Sequence, residues 1–443
     1  ILGDDTHCIS LNKSGSGTQT LNGKSVVLGD VDVSGGALVL GATQGRIHGN
    51  VVVRNASVNF NSASLEVAGT ISAEHASVNL QQALQSAAQN TLSFSGKGNT
   101  LSGQVNLQDV IVGSGAEMTL TNAAVSTVIH NSGTVNVGSD TVFNVTQANF
   151  AAAVREGQAL TLIEGQGGSV DAPTTTVMVG GTALADMLAT GQSVSYGTEG
   201  GSLTATVALA DNNIIWTGTD YKIWDLKKSS NWKQQSDSAV TTATALSNVI
   251  FDSKATRYVN VASEGVTAWN MTALSGSYLF QAGAVTVLND LDLQGTSYVQ
   301  PTEKMTVLGD VSVAAGTTLA ASKGLDVGGT VYLGGTLNIG TVNNDELKSD
   351  IRAGQGSGAN GTLTRSKGSE GTLKLSGTVE LAAFNAVNAT AANVTLFSGE
   401  TTVGTMKLTS GAAAVAGEGT LSIEDAVTLG ESGTQCGSLE GGD

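Results

Sequence analysis

The sequence predicts an all-β chain wound as a right-handed parallel β-helix, a solenoid whose coils hold about 20 residues each. A seven-residue phrase, apolar-x-Gly-x-apolar-x-apolar, returns at a spacing of 20 at residues 27–33, 47–53 and 67–73. It recurs at the same spacing of 20 at residues 287–293, 307–313 and 327–333, with Asn289 replacing the glycine in the first of these copies. Composition points the same way: 58 Gly against 2 Pro, with few aromatic or charged residues, suits short strands joined by tight turns.

Alternation within the phrase places Val27, Val31 and Val33 on one pleat face and Leu28, Asp30 and Asp32 on the other, so one face is dry. The glycine suits a bend, because it tolerates positive φ and needs no room for a side chain. One coil cannot bury its apolar face alone, whereas stacked coils build a continuous core. The competing architecture is an antiparallel sandwich or meander, which alternates too but rarely keeps so strict a period.

In chain order, residues 1–146 form an N-terminal β-solenoid with a cap. Residues 1–26 serve as a cap or docking end, regular coils fill 27–80, and a short helix over 80–88 interrupts the period. The phrase returns at 101–107 and, more loosely, at 132–137. Residues 147–212 form a mixed α/β connecting or capping segment, with helices at 148–155 and 182–188 that bury Phe150, Val154, Leu184 and Leu188. Strands are expected there at 159–163, 175–179 and 201–209. A second repeat region spans 213–342. The last segment, 343–443, opens with a polar protruding loop or break over 343–370, continues with strands at 375–381, 393–397, 402–408 and 420–423, and ends in a Gly- and Ser-rich tail.

A net charge of −17 argues against nucleic acid, which demands clustered Lys and Arg, and against docking on anionic membranes. No run of 18 apolar residues exists, so no direct membrane insertion by a helix is expected. The chain opens at Ile1 with no charged-then-apolar leader, which fits a signal segment already removed or a trimmed chain.

Cys8 and Cys436 lie near opposite ends of the sequence. In one straight solenoid they would stand roughly 100 Å apart, whereas a disulfide needs Cα atoms within about 7 Å. An intrachain bridge would require the chain to double back. A bridge from Cys8 of one subunit to Cys436 of the next would lock a head-to-tail fibre. Two unrelated thiols are the third reading.

Chemistry is sparse. Parallel β-helices that cleave acidic polysaccharides need clustered carboxylates with Lys or Arg on neighbouring coils. The outward pairs Asp30/Asp32 and Asp290/Asp292 have no Lys or Arg at the equivalent position one coil away, and are expected to be solvated turn residues. His7, His48, His75 and His130 show no metal-ligand spacing. Residues 17–25 miss the phosphate-loop pattern, because five residues rather than four separate Gly17 and Gly23. Leu325-Asp326-Val327 matches an integrin-type tripeptide but lies inside a coil phrase. No catalytic residue, cofactor or metal is expected.

Three of the four Trp residues fall within 17 positions, in the run Trp216-Thr217-Gly218, Tyr221, Trp224-Asp225, Asn231-Trp232, followed by Phe251-Asp252. These aromatics either stack on sugar rings or pack a core, and burial of so large an area favours the core. Here the chain resembles the autotransporter-associated β-strand repeat family, whose members carry Trp-x-Gly, Trp-Asp, Asn-Trp and Phe-Asp in this order. Tyr278-Leu279-Phe280 and the alternation over 285–293 fit the tail of that repeat, so the resemblance covers about 214–340. It implies a large extracellular β-helical protein at a Gram-negative-type cell surface. Such proteins add a C-terminal membrane barrel, for which no room remains after residue 343. A cleaved passenger and a secreted relative without the barrel both fit.

The expected function is therefore a non-enzymatic, extracellular or surface-associated scaffold that self-associates head-to-tail. The alternative is an adhesin displaying loops such as 343–370 to host glycan or protein, and a polysaccharide-active enzyme comes third.

Overall fold

The computed structural model describes the chain except residues 1–7, 24, 42–43, 62–64, 85–90, 108, 121–128, 132, 166–169, 172–174, 253–256, 322, 341–344, 357, 366–370, 387–392, 410–411, 431–437 and 442–443. It is 58% strand and 5% helix, a parallel β-solenoid of about 17 turns with about 21 residues per turn. The chain divides into two units, Ile1–Met187 with Gln192–Ala208, and Leu188–Gly191 with Leu209–Asp443. No helix among the described residues is long and apolar enough to cross a membrane.

In the first unit two parallel walls run side by side. Val31 pairs with Val51, Val51 with Ile71, and Leu92 with Ile71 and Val110, so one inward column is apolar from coil to coil. On the other wall Leu38, Val58, Val78 and Leu101 stack in the same way, and all four are fully buried. Ile9–Lys13 and Thr18–Leu21 add one further parallel coil below residue 25.

Three expectations change here. Leu28 was assigned to the outer face, but it is 1% exposed and pairs with Ile47, 19 residues on, while Val31 pairs with Val51 at 20. Between these two pairs the first strand has two residues, Gly29 and Asp30, where the next coil has three, residues 48–50, so the first strand runs one residue short there and its inward alternation shifts by one. The helix expected over 80–88 is a strand as far as it is described, Ser77–Leu84, pairing with Asn99–Leu107; residues 85–90 lie outside the described residues. Ladder pairing to two neighbouring coils outweighs the local helix propensity of Leu, Gln and Ala.

The phrase glycines also act differently from expectation. Gly29, Gly49, Gly69, Gly309 and Gly329 do not take positive φ. They are small because the coil below comes close: a Cβ on Gly49 would collide with Asp30 Oδ1, and one on Gly329 with Asp310 Oδ1. Positive φ belongs instead to a corner column, Gly36, Asn55, His75 and Gly96, where φ lies between 49° and 69°. His75 is thus a left-handed corner residue.

The first unit ends with helix Gln147–Arg155, capped by Thr146 Oγ1, which accepts from the Asn149 N–H at 3.1 Å. Phe150 is buried as expected, whereas Val154 is half-buried. The second helix shortens to Leu184–Met187, burying Leu184 and Met187; Leu188 is half-buried and lies past its end. Leu203–Ala208 then pairs antiparallel with both Leu160–Gly165 and Ser193–Gly197.

The second unit winds around three walls. Met271, Leu291, Val311, Val331 and Ile351 form one inward column, with a step of 20 throughout. Val299, Leu319, Leu337, Leu363, Phe384 and Met406 form the next. Val285, Met305 and Leu325 line the third. The stretch 343–370 was expected to protrude, yet Asp345–Leu347, Ile351–Ala353 and Thr362–Arg365 continue the coils, with 341–344, 357 and 366–370 outside the described residues. Leu347, Ile351 and Leu363 keep the inward positions apolar, and the polar residues between them hid that spacing.

Candidate functional site

The second unit begins with a short antiparallel meander: Asn213–Trp216 pairs with Trp232–Gln234, which pairs with Val240–Thr241. Asn213–Trp216 also pairs, in parallel, with Asn248–Phe251, where the solenoid takes over. Trp216 lies opposite Trp232 in this meander, so three indoles converge on the lumen. Trp216, Trp224 and Trp232 are at most 1% exposed. Trp232 meets Trp216 at 5.0 Å and Trp224 at 5.5 Å, both edge-to-face. Phe251 touches all three, with Phe280 and Tyr278 each 5.1 Å beyond it. This is the tilted and T-shaped packing that ring quadrupoles favour.

No indole face is open to a ligand. The sugar-stacking reading of Trp216, Trp224 and Trp232 is therefore overturned, and the packing reading stands. Of the cluster, only Tyr221 is on the surface, 84% exposed in a corner with φ of 47°.

The polar residues of the same motif tie loops to the core. Asn231 is fully buried; its Nδ2 donates to the carbonyls of Asp220 at 2.6 Å and Ile223 at 2.8 Å, and its Oδ1 accepts from the Asp220 N–H. One side chain thus closes the turn between Trp216 and Trp224. The Asn231 carbonyl accepts from the Thr217 N–H, beside Gly218, whose φ of 60° lets the chain turn away. Asp225 accepts from the Ser229 N–H and hydroxyl, both at 2.8 Å, which fixes the next loop. The Asp252 carbonyl accepts from the Tyr278 hydroxyl. Burial, and the Asp252 carboxylate second, push the Tyr278 phenol up to about 12.

A second polar set runs along the unit at one position per coil. Asn213, Asn248, Asn270, Asp290, Asp310, Thr330, Asp350 and Thr378 stand at equivalent places, each just before an inward apolar residue or pairing in register with one that is. Asn248 Nδ2 donates to Asn213 Oδ1, and Asn270 Nδ2 to Asn248 Oδ1, both at 3.0 Å. From there the side chain of one coil accepts the backbone N–H of the next. Asn270 takes Asp290 at 3.1 Å, Asp290 takes Asp310 at 2.9 Å, Asp310 takes Thr330 at 2.8 Å, and Asp350 takes Thr378 at 2.9 Å. The first unit repeats the device, with Asp30 on the Asn50 N–H, Asn50 on the Thr70 N–H and Asp109 on the Thr134 N–H. These N–H groups sit at turns, where the strand ladders provide no carbonyl, and the side chains complete the count.

The outward aspartates are thus occupied rather than merely solvated. Asp32 is not isolated either: Arg54, one coil on and two residues along, bonds it at 3.1 Å and reaches Glu74 at 3.7 Å. The partner is diagonal, two residues along from the position directly opposite. Lys304 likewise bridges Asp326 at 2.8 Å and Asp345 at 3.1 Å, and these carboxylates, Asp326 foremost, hold its ammonium above the usual lysine range. Asp326, of the integrin-type tripeptide, is therefore ion-paired within the coil strand Leu325–Val327.

A groove of about 300 Å³ follows the column past Asn270, Asp290, Asp292 and Asp310. Among the described residues no group of three or more His, Cys, Asp or Glu is arranged to hold a metal. Cys8 is exposed, and Cys436 lies outside the described residues, as do His7 and the side chain of His130. The side-chain column was missed in the sequence, although its signal was present: Asp or Asn directly follows the phrase glycine in residues 27–33, 47–53 and 307–313.

Compared with family models, curated proteins and solved structures, the chain matches none. The likeness to autotransporter-associated repeats rests on sequence motifs alone: Trp216, Gly218, Trp224, Asp225, Asn231, Trp232, Phe251 and Asp252, with Tyr278-Leu279-Phe280 and the alternation over 285–293.

Proposed function

We propose that this chain is a non-enzymatic structural protein, a stiff extracellular or cell-surface scaffold that associates head-to-tail with further copies. The side-chain column from Asn213 to Thr378 carries the reading. The residue types that would build a site on a solenoid surface, Asp and Asn repeated coil after coil, each have one oxygen engaged by the next coil, through a side-chain amide at Asn213 and Asn248 and a backbone N–H from Asn270 on. That arrangement stiffens the turns and uses these carboxylates for structure.

Self-association is favoured by the last strand of the longest sheet. Leu421–Leu429 stands at the sheet edge with Val427 and Leu429 each more than 40% exposed. Such an edge is a template for another strand, and a contact between unlike surfaces propagates instead of closing. Cys8 with Cys436 of the next copy would then serve as a covalent lock. The surface location follows the motif resemblance.

Sedimentation and negative-stain microscopy across a concentration series test the proposal. Multimers or fibres are expected, with Val427→Asp/Leu429→Asp returning them to monomers; thiol reductant shortens them if the cysteine lock forms. Monomers at every concentration, together with depolymerisation of a polysaccharide or saturable binding of a glycan, would overturn it.

A further inference from the structure

Among the described residues of the second unit, Arg365 is the one charged side chain that is fully buried. Arg365 follows the inward Leu363 by two residues, in a column otherwise made of Ala321, Ile339, Ala386 and Leu408. Its side chain is fully buried and reaches from this wall to another, where Nη1 donates to the Val394 carbonyl at 3.2 Å and to Thr395 Oγ1 at 3.4 Å. Among the described residues Arg365 makes no ion pair, and its Nε and Nη2 have no partner. Those two atoms form the edge of the guanidinium that grips an anion with two parallel bonds.

Asn393, next to Val394, points inward on that same wall. It is 1% exposed, and neither its Nδ2 nor its Oδ1 has a partner. The ladder neighbours of Asn393 are Gly371 and Ala412, and Thr395 has Ala414 on one side. Asn393 thus lies between two small residues, while Leu373 lies on the other side of Thr395. A buried cation without a bonded counter-ion costs several kcal/mol; burial lowers the Arg365 guanidinium, the Asp345 carboxylate offsets part of that without forming an ion pair with it, and the value of about 10 keeps it charged at neutral pH.

We propose that the lumen binds a small monovalent inorganic anion of the halide class, held by Arg365 Nε and Nη2 and by Asn393 Nδ2. The anion sets a negative charge directly against the guanidinium and gives the open donors of Arg365 and Asn393 an acceptor. A water molecule would satisfy hydrogen bonds there but would leave the charge uncompensated.

The test compares bromide with gluconate at equal ionic strength. At a bromide concentration about ten times its dissociation constant, the folded-to-unfolded ratio of the full chain rises about tenfold. Arg365→Met, which replaces the guanidinium by an apolar chain of similar reach, abolishes the response. Anomalous scattering from crystals grown in bromide is expected to show a peak on Arg365 and Asn393, a readout that requires no variant. Equal bromide responses of parent and Arg365→Met, or density for water alone at that position, would overturn the site.

Discussion

The aromatic head and the regular coils of the second unit solve the same problem by different means. In the coils, each inward position repeats in kind, as in Leu291, Val311, Val331 and Ile351, and the load is spread over many similar contacts. The head opens with antiparallel strands in place of a stacked coil. It fills the lumen with Trp216, Trp224, Trp232, Phe251 and Phe280 and sews the loops to that plug through Asn231 and Asp225. A repeat distributes stability, and a plug concentrates it.

The contrast breaks most visibly at Trp232. Trp232→Ala removes the ring that touches both other indoles and Phe251, and is expected to cost about 3–5 kcal/mol; chemical denaturation with tryptophan fluorescence measures it. Leu293→Ala, in a regular coil, is expected at about 2–4 kcal/mol, near the low end of the core range. Equal costs at the two sites would remove the distinction.

Alkaline titration sharpens it. The Tyr278 phenol ionises near 10 when unfolded and at about 12 when folded, so the unfolded chain loses its proton first. The Tyr278 contribution is intact below pH 10 and declines as pH rises from 10 toward 12. Arg365 acts with the opposite sign, because its folded value of about 10 lies below the ordinary arginine value and its burial penalty eases as pH climbs above 10. Tyr278→Phe should abolish the falling component, and Arg365→Met the rising one, in denaturation midpoints measured from pH 8 upward.

Smaller effects belong to the surface. Asp310→Ala leaves the Thr330 N–H without its acceptor and should cost about 1–2 kcal/mol, whereas Asp310→Asn keeps an oxygen in place and should cost less than half of that. Arg54→Ala breaks two half-exposed pairs, with Asp32 and Glu74, and is expected to cost below about 1 kcal/mol and to lose even that in high salt. Thermal melts at two salt concentrations distinguish the last two cases.

Periodicity made the coils legible. A step of 20 from Leu291 to Ile351 is a direct imprint of a turn of the solenoid, and the buried Trp and Phe of the head followed from their size. Misreadings arose where one residue decides. One residue fewer between Leu28 and Val31 than between Ile47 and Val51 exchanged the faces of Leu28 and its neighbours, which no alternation rule detects because the pattern on either side is intact. Residues 345–365 looked like a loop because outward Asp, Glu, Lys and Ser outnumber inward Leu347, Ile351 and Leu363. The roles of Asn231 and Asp225 were hidden for another reason: their partners are backbone atoms of turns, whose positions exist only once the coil has closed. Arg365 has no periodic signature at all, being a single charged residue at an inward position of an otherwise ordinary strand.

Hydrogen exchange at the turn amides tests the central claim, that outward Asp and Asn hold the backbone of the next coil. The N–H groups of Asp290, Asp310 and Thr330 should exchange as slowly as those of the strand residues Leu291 and Val311, and Asp310→Ala should release Thr330 while leaving Asp290 protected. Exchange of all three at the rate of open loops in the parent chain would contradict the account.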